Sequence, residues 1–170
     1  MPARACVECG FDFEMDLPAL LAACEDAPAT IGRLLAASGA CLDQRPTRDV
    51  WAPIEYAAHV AEALRWYTER VDRVLAEAAP QLVPFDFDLA AEMGSYSRRS
   101  LDIVVAEVAS AARALATSAA GLTAAELQRC GIGSDRSPRS VEALLVRAHH
   151  ELIHHEWDLR RAAGPSSGFA

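Results

Sequence analysis

The chain has 170 residues, 24 of them acidic and 16 basic, for a net charge of −8. That length suits one domain with a real core and is short for two, and the negative balance repels phosphate backbones, so no nucleic-acid partner is expected. No stretch is long and apolar enough to span a bilayer, and the opening Met1-Pro2-Ala3-Arg4-Ala5-Cys6 lacks the apolar centre of a secretory signal, so a cytoplasmic protein without membrane contact is expected.

In chain order, residues 1–16 form an N-terminal segment carrying the pair Cys6 and Cys9. A first helix follows in two pieces. Leu17–Ala27 has Pro18 in its first turn, and Pro28 starts a second piece to about Leu42, with Ile31, Leu34, Leu35 and Leu42 at helical spacing. Gln44–Thr47 is a connector. The second helix starts at Pro53 and places Tyr56, Val60, Ala63, Leu64, Tyr67, Val71, Val74 and Leu75 on one face, ending before Pro80. Gln81–Asp88 reads as a crossing loop around Pro84.

A third helix runs from about Ser100 to Ala120 on Ile103, Val104, Val108, Ala111 and Leu115. Thr123-Ala124-Ala125-Glu126 has capping-box spacing for one short helical turn. Gly131–Pro138 is a polar loop, and no strand is expected anywhere. Ser140 caps a fourth helix that continues to about Ala163, before Gly164-Pro165, and 166–170 is a flexible tail. The fold class is therefore all-α: a four-helix bundle over 17–165, with short extra helices in the connections.

The chain has five histidines, and four lie in His149-His150-Glu151-Leu152-Ile153-His154-His155. Side chains four apart on a helix share a face, so His150 with His154, or Glu151 with His155, could offer two ligands to one ion. The core stripe of this helix reads Val141, Leu144, Leu145, Ala148, Leu152 and Leu159. Glu151 and His155 fall on it, whereas His150 and His154 share a wetter side with Arg147 and Arg161. A carboxylate on a core stripe is costly unless something pairs with it, and a cation would serve. His59, on or beside the apolar face of the second helix, could supply a third ligand. Three protein ligands with open positions form a catalytic rather than a structural metal site. The bland alternative is a solvated histidine face with His59 as a hydrogen-bonded core residue.

The cysteine count is five, odd, in a cytoplasmic setting, so metal binding or burial is a better default than disulfides. Cys24 and Cys41 sit in apolar helices and are expected to be buried, and Cys130 is isolated. Cys6-Val7-Glu8-Cys9-Gly10 has the form of a zinc knuckle, in which the glycine lets amide groups turn toward sulfur. A closed zinc site needs four ligands, and no second such pair exists. A mobile thiol pair, a second metal completed from elsewhere in the fold, an approach to the histidine site, and an N-terminus without function all remain open. Trp66 and Tyr67 read as core residues or pocket lining, Arg98-Arg99 as a solvated turn, and Phe85 and Phe87 as a plug at the open end of the bundle.

Trp51-Ala52-Pro53-Ile54-Glu55-Tyr56-Ala57-Ala58-His59-Val60, followed by His150–Leu159, resembles the DinB/YfiT-like superfamily, which includes mycothiol-dependent maleylpyruvate isomerases and bacillithiol or mycothiol S-transferases. The resemblance spans nearly the whole chain, and the opening Cys6–Asp12 looks like an actinobacterial subgroup of it. It implies a four-helix bundle holding zinc or nickel through one histidine on the second helix and an H-x-x-x-H or E-x-x-x-H pair on the last. The family's second ligand histidine is followed at +3 by Asp, Gln or His and at +4 by Ile or Leu. His155, Asp158 and Leu159 match that register, with Glu151 in the first place, so the implied ligands are His59, Glu151 and His155, with His150 and His154 as the fallback pair. The chain is too short for the extra C-terminal domain of the full isomerases. The activity implied is a metal-dependent thiol S-transferase-like one, in which a low-molecular-weight thiol such as mycothiol attacks a small electrophile. Two alternatives stand beside it: a non-catalytic metal-binding or stress-related bundle, with a homodimer through an exposed helix face, and a thiol-redox protein using Cys6 and Cys9.

Overall fold

A computed structural model describes residues 5–93 and 96–162, without the side chains of Asp88 and Glu92. The expected stop at Gly164-Pro165 and the 166–170 tail lie outside the described residues. Four long helices carry the core: α1 (Leu17–Ser38), α2 (Pro53–Ala76), α4 (Leu101–Ala119) and α6 (Val141–Ala162), with short helices α3 (Phe87–Met93) and α5 (Ala124–Leu127) between them. α2 packs mainly on α4 and α6, and so does α1, while α1 and α2 scarcely touch. The helices thus form a square in which α1 faces α2 across one diagonal, and the α1–α2 connection crosses the bundle. Among the described residues no helix is long and apolar enough to cross a membrane.

The expected stripes are buried except at Ile103 of α4, which is 56% exposed, and at Leu42, Tyr56 and Leu75, which are half-buried. Val141, Leu144, Leu145, Ala148, Leu152 and Leu159 of α6 face the core with Val60, Leu64, Val71 and Val74 of α2 and Val104, Val108 and Leu115 of α4. Asp16 caps α1 by accepting from the Ala19 amide at 2.9 Å, and Ser140 accepts from the Ala143 amide at 3.0 Å. At the start of α2, Glu55 takes over that task. It accepts from the Ala52 amide at 2.9 Å and from Arg45 at 2.7 and 2.8 Å.

Several expectations need correction. The first helix is not split: α1 runs unbroken through Pro28. A proline inside a helix removes one hydrogen bond at a cost of about 3 kcal/mol. Here Leu20, Cys24 and Ala27 before it and Ile31, Leu34 and Leu35 after it are all buried in one register, and that burial outweighs the loss. The helix stops early, at Ser38, where Gly39 adopts φ +52° and a 3-10 turn over Gly39–Cys41 follows. Cys41 is therefore exposed, not buried; Cys24 is buried as expected, and burial pushes its thiol up to about 11.

The polar loop after α5 contains strands. β1 (Cys130–Ile132) and β2 (Pro138–Ser140) pair antiparallel, with Cys130 opposite Ser140. Asp135 accepts from the Ser137 amide and hydroxyl, holding the turn. The crossing loop also ends sooner than expected, because α3 begins at Phe87, where the Leu89 amide bonds the Asp86 carboxylate at 2.9 Å.

Candidate metal centre

Pro53 fixes the first turn of α2, and His59 follows in the second turn, 6% exposed and facing α6. Glu151 and His155 lie one turn apart on α6 and face it. His59 Nε2 sits 3.2 Å from Glu151 Oε2, and His155 Nε2 sits 3.3 Å from the same oxygen. The three donor atoms lie within 4.8 Å of one another. A tetrahedral ion with bonds of about 2.0–2.1 Å holds its ligand atoms about 3.3–3.4 Å apart, so two imidazoles and one carboxylate at these spacings fit a divalent cation.

The surroundings orient the donors. Asp158 Oδ2 lies 2.9 Å from His155 Nδ1, and a proton held there leaves the Nε2 lone pair aimed at Glu151. Burial would lower the His155 pKa, but Asp158 and Glu151 outweigh it and raise it. Burial would raise the Glu151 carboxyl, but His155 and His59 outweigh that and hold it well below the usual carboxylate range. His59 Nδ1 is buried without a hydrogen-bond partner among the described residues. The ring of Trp51 lies 5.3 Å from that of His59, Phe87 packs edge-on to His59 at 4.7 Å, and Tyr56 lies 5.5 Å from His155.

Of the expected plug residues, Phe87 reaches the site while Phe85 stacks behind it at 4.8 Å and is partly exposed. Trp51 and Tyr56 belong to the sequence motif, and Tyr56 to the apolar face of the second helix, but the sequence alone assigns neither to the site. Tyr56 could have been assigned, because it precedes His59 by one helical turn. Trp66 and Tyr67 line a cavity of about 640 Å³ with Arg70, Arg139 and Arg147, and its wall includes Glu151. Arg70 donates to the Trp66 and Val83 carbonyls, and burial lowers its pKa to about 10. Arg99 pairs with Glu107 at 2.6 Å, in keeping with a surface turn.

The four clustered histidines divide between two places. His150 and His154 take no part in the group around His59. They face the N-terminal segment, where their ring nitrogens and the sulfurs of Cys6 and Cys9 again lie within 4.8 Å of one another. Cys6 Sγ is 3.7 Å from His154 Nδ1. The amides of Cys9 and Glu8 point at the Cys6 sulfur and hold that thiol down at about 7, while burial raises that of Cys9. Phe11 packs edge-on against His149, and Phe11 and Phe13 pack at a tilt against His150, which fastens the segment to α6.

The sequence pattern of the DinB superfamily matches residues 23–158. No curated protein sequence matches the chain. The chain is similar in structure to YfiT from Bacillus subtilis, described as a "probable metal-dependent hydrolase with an unusual four-helix bundle topology". The TM-score is 0.73, with 18% identity over 96% of this chain and 93% of that one, a likeness of fold.

Proposed function

The chain belongs to the DinB superfamily, and on that premise we propose that it is a metal-dependent enzyme whose divalent ion, zinc or nickel, is held by His59, Glu151 and His155. The observation that carries this reading is the shared oxygen of Glu151, 3.2 and 3.3 Å from two imidazole nitrogens, at the wall of a cavity large enough for a small molecule. Three donors leave an ion with open positions, and a cation there lowers the pKa of a nucleophile brought to it.

The reaction we assign is transfer of a low-molecular-weight thiol, such as mycothiol, to a small electrophile. Glu151 and the two imidazoles would hold the ion, which when bound would favour the thiolate form. The thiol proton passes to solvent, and the sulfur bonds the electrophilic carbon as a leaving group departs or a double bond opens. Asp158 keeps His155 in the tautomer that metal binding needs. Trp66 and Tyr67 offer apolar and aromatic surface to the acceptor, and Arg147 and Arg139 favour one carrying negative charge. A second reading, hydrolysis with water as the nucleophile, is supported by the description of YfiT.

One assay separates the two. The metal-loaded protein is incubated with an electrophile, with and without mycothiol, and products are followed by mass. Thiol-dependent conjugation that disappears after chelation is expected. Product formed by water alone supports hydrolysis, and the absence of metal-dependent turnover in both arms refutes enzymatic function with these nucleophiles.

A further inference from the structure

We propose that Cys6, Cys9, His150 and His154 form a second, closed metal site, a tetrahedral structural zinc centre that clamps the N-terminal segment to α6. It shares no ligand with the site assigned above.

The donors have the composition and spacing of such a centre. Two cysteines separated by two residues meet two histidines separated by three, a pairing characteristic of structural zinc. The sulfur and nitrogen atoms come from ends of the chain 148 residues apart, as between Cys6 and His154, yet all four lie within 4.8 Å of one another. Zinc bonds of about 2.3 Å to sulfur and 2.0–2.1 Å to nitrogen place S and N about 3.5 Å apart in a tetrahedron. The 3.7 Å between Cys6 Sγ and His154 Nδ1 is close to that edge.

The backbone is arranged for the task. The Cys6 amide bonds the Phe11 carbonyl at 2.8 Å, the Gly10 amide bonds the Cys6 carbonyl at 3.0 Å, and Gly10 takes φ +74°, a left-handed turn that glycine tolerates. This closes a small hairpin in which the Glu8 and Cys9 amides turn toward sulfur, as a thiolate ligand requires. The far nitrogen of His154, Nε2, lies 3.6 Å from Asp158 and 3.7 Å from Glu8, so carboxylates stand where a ligating imidazole places its N–H. His150 Nε2 is buried with no hydrogen-bond partner among the described residues. Two thiolates balance the charge of a divalent ion, and their two protons pass to solvent on binding. Soft sulfur with imidazole in a tetrahedron selects zinc over harder ions.

The redox alternative fits less well. A redox cysteine pair ordinarily opens a helix, whereas Cys6 and Cys9 lie in a hairpin with imidazoles around them. Position also gives the centre a consequence. His154 and His155 are adjacent on α6, and Asp158 Oδ2 faces both, at 3.6 and 2.9 Å. A clamp on His154 therefore steadies the helix turn that carries His155 into the other site.

Cobalt substitution of the full chain tests this. The expected result is about two metal ions per chain and a thiolate-to-cobalt charge-transfer band with the visible spectrum of a four-coordinate ion. In Cys6→Ser/Cys9→Ser the band disappears and metal content falls by about one ion per chain. In Glu151→Gln/His155→Ala the band persists while content falls by a similar amount, so failure of either site is read separately. His150→Ala, which keeps both thiols, shifts the band and covers the case in which the double cysteine variant does not fold. A wild-type protein without the band, a cysteine variant with undiminished metal, or a Cys6–Cys9 disulfide in anaerobically purified protein overturns the proposal.

Discussion

Asp158→Asn isolates the contribution of a single carboxylate to the candidate metal centre. The carboxylate is 12% exposed and lies 2.9 Å from His155 Nδ1. Removing such a partner from a ligating histidine weakens metal affinity by about 10–100-fold, or about 1.4–2.7 kcal/mol. Asparagine retains an oxygen of similar shape, so a neutral hydrogen bond of about half the strength survives. The expected loss is therefore in the lower part of the range, about 10–30-fold, and Asp158→Ala approaches the upper end. The pH dependence has a definite sign. Asp158 raises the His155 pKa, and the proton competes with the metal for that ring. As pH falls, wild-type affinity drops first and the variant's later, so the gap between them narrows. The assay is competition with a chromophoric chelator at several pH values, in a Cys6→Ser/Cys9→Ser background that reports on the His59 site alone. An affinity within about twofold of wild type at pH 7.5, or a gap that widens as pH falls, refutes the reasoning.

Other consequences concern the scaffold. Glu55→Gln loses charge-assisted bonds to Arg45 and the Ala52 amide, and urea unfolding at pH 7 should show a loss of about 1.5–3 kcal/mol. Burial opposes ionisation of Glu55, but Arg45 and the Ala52 amide outweigh it and lower the folded-state pKa. Its contribution is thus present above the unfolded value of about 4.3 and lost as pH falls through the folded value, and wild type and variant converge at acid pH. Pro28→Ala restores a helix amide, offset by a freer unfolded chain, and should raise stability by about 1–2 kcal/mol in thermal denaturation; a loss would show that the proline ring itself packs favourably. Gly131→Ala places a methyl 2.8 Å from Leu82 Cγ and 3.0 Å from Val74 Cγ2, and should cost about 1–3 kcal/mol, measured by urea unfolding.

The long helices were legible because each commits one apolar face for five or six turns, and Pro53 and Ser140 mark starts that local chemistry enforces. The same stripe on α6 separates Glu151 and His155 from His150 and His154 in the sequence itself, since residues one position apart on a helix point about 100° apart. What the stripe could not reveal was the occupant of the second face. Phe11, Phe13 and the cysteine hairpin reach it from more than 130 residues away, and no local periodicity encodes that contact. β1 and β2 escaped notice because three residues are too few for alternation to register. Pro28 misled because propensity is a weak prior where tertiary burial is continuous on both sides. The site's aromatic wall was half legible: Phe87 from its loop position, Trp51 only from the crossing of the α1–α2 connection over the bundle end.

The most direct test of the account is a crystal structure of the zinc- or nickel-loaded protein with anomalous data at the metal edge. The account predicts a peak about 2.0–2.2 Å from one nitrogen each of His59 and His155 and from a Glu151 carboxylate oxygen. Full metal loading with no peak among these three residues would contradict it.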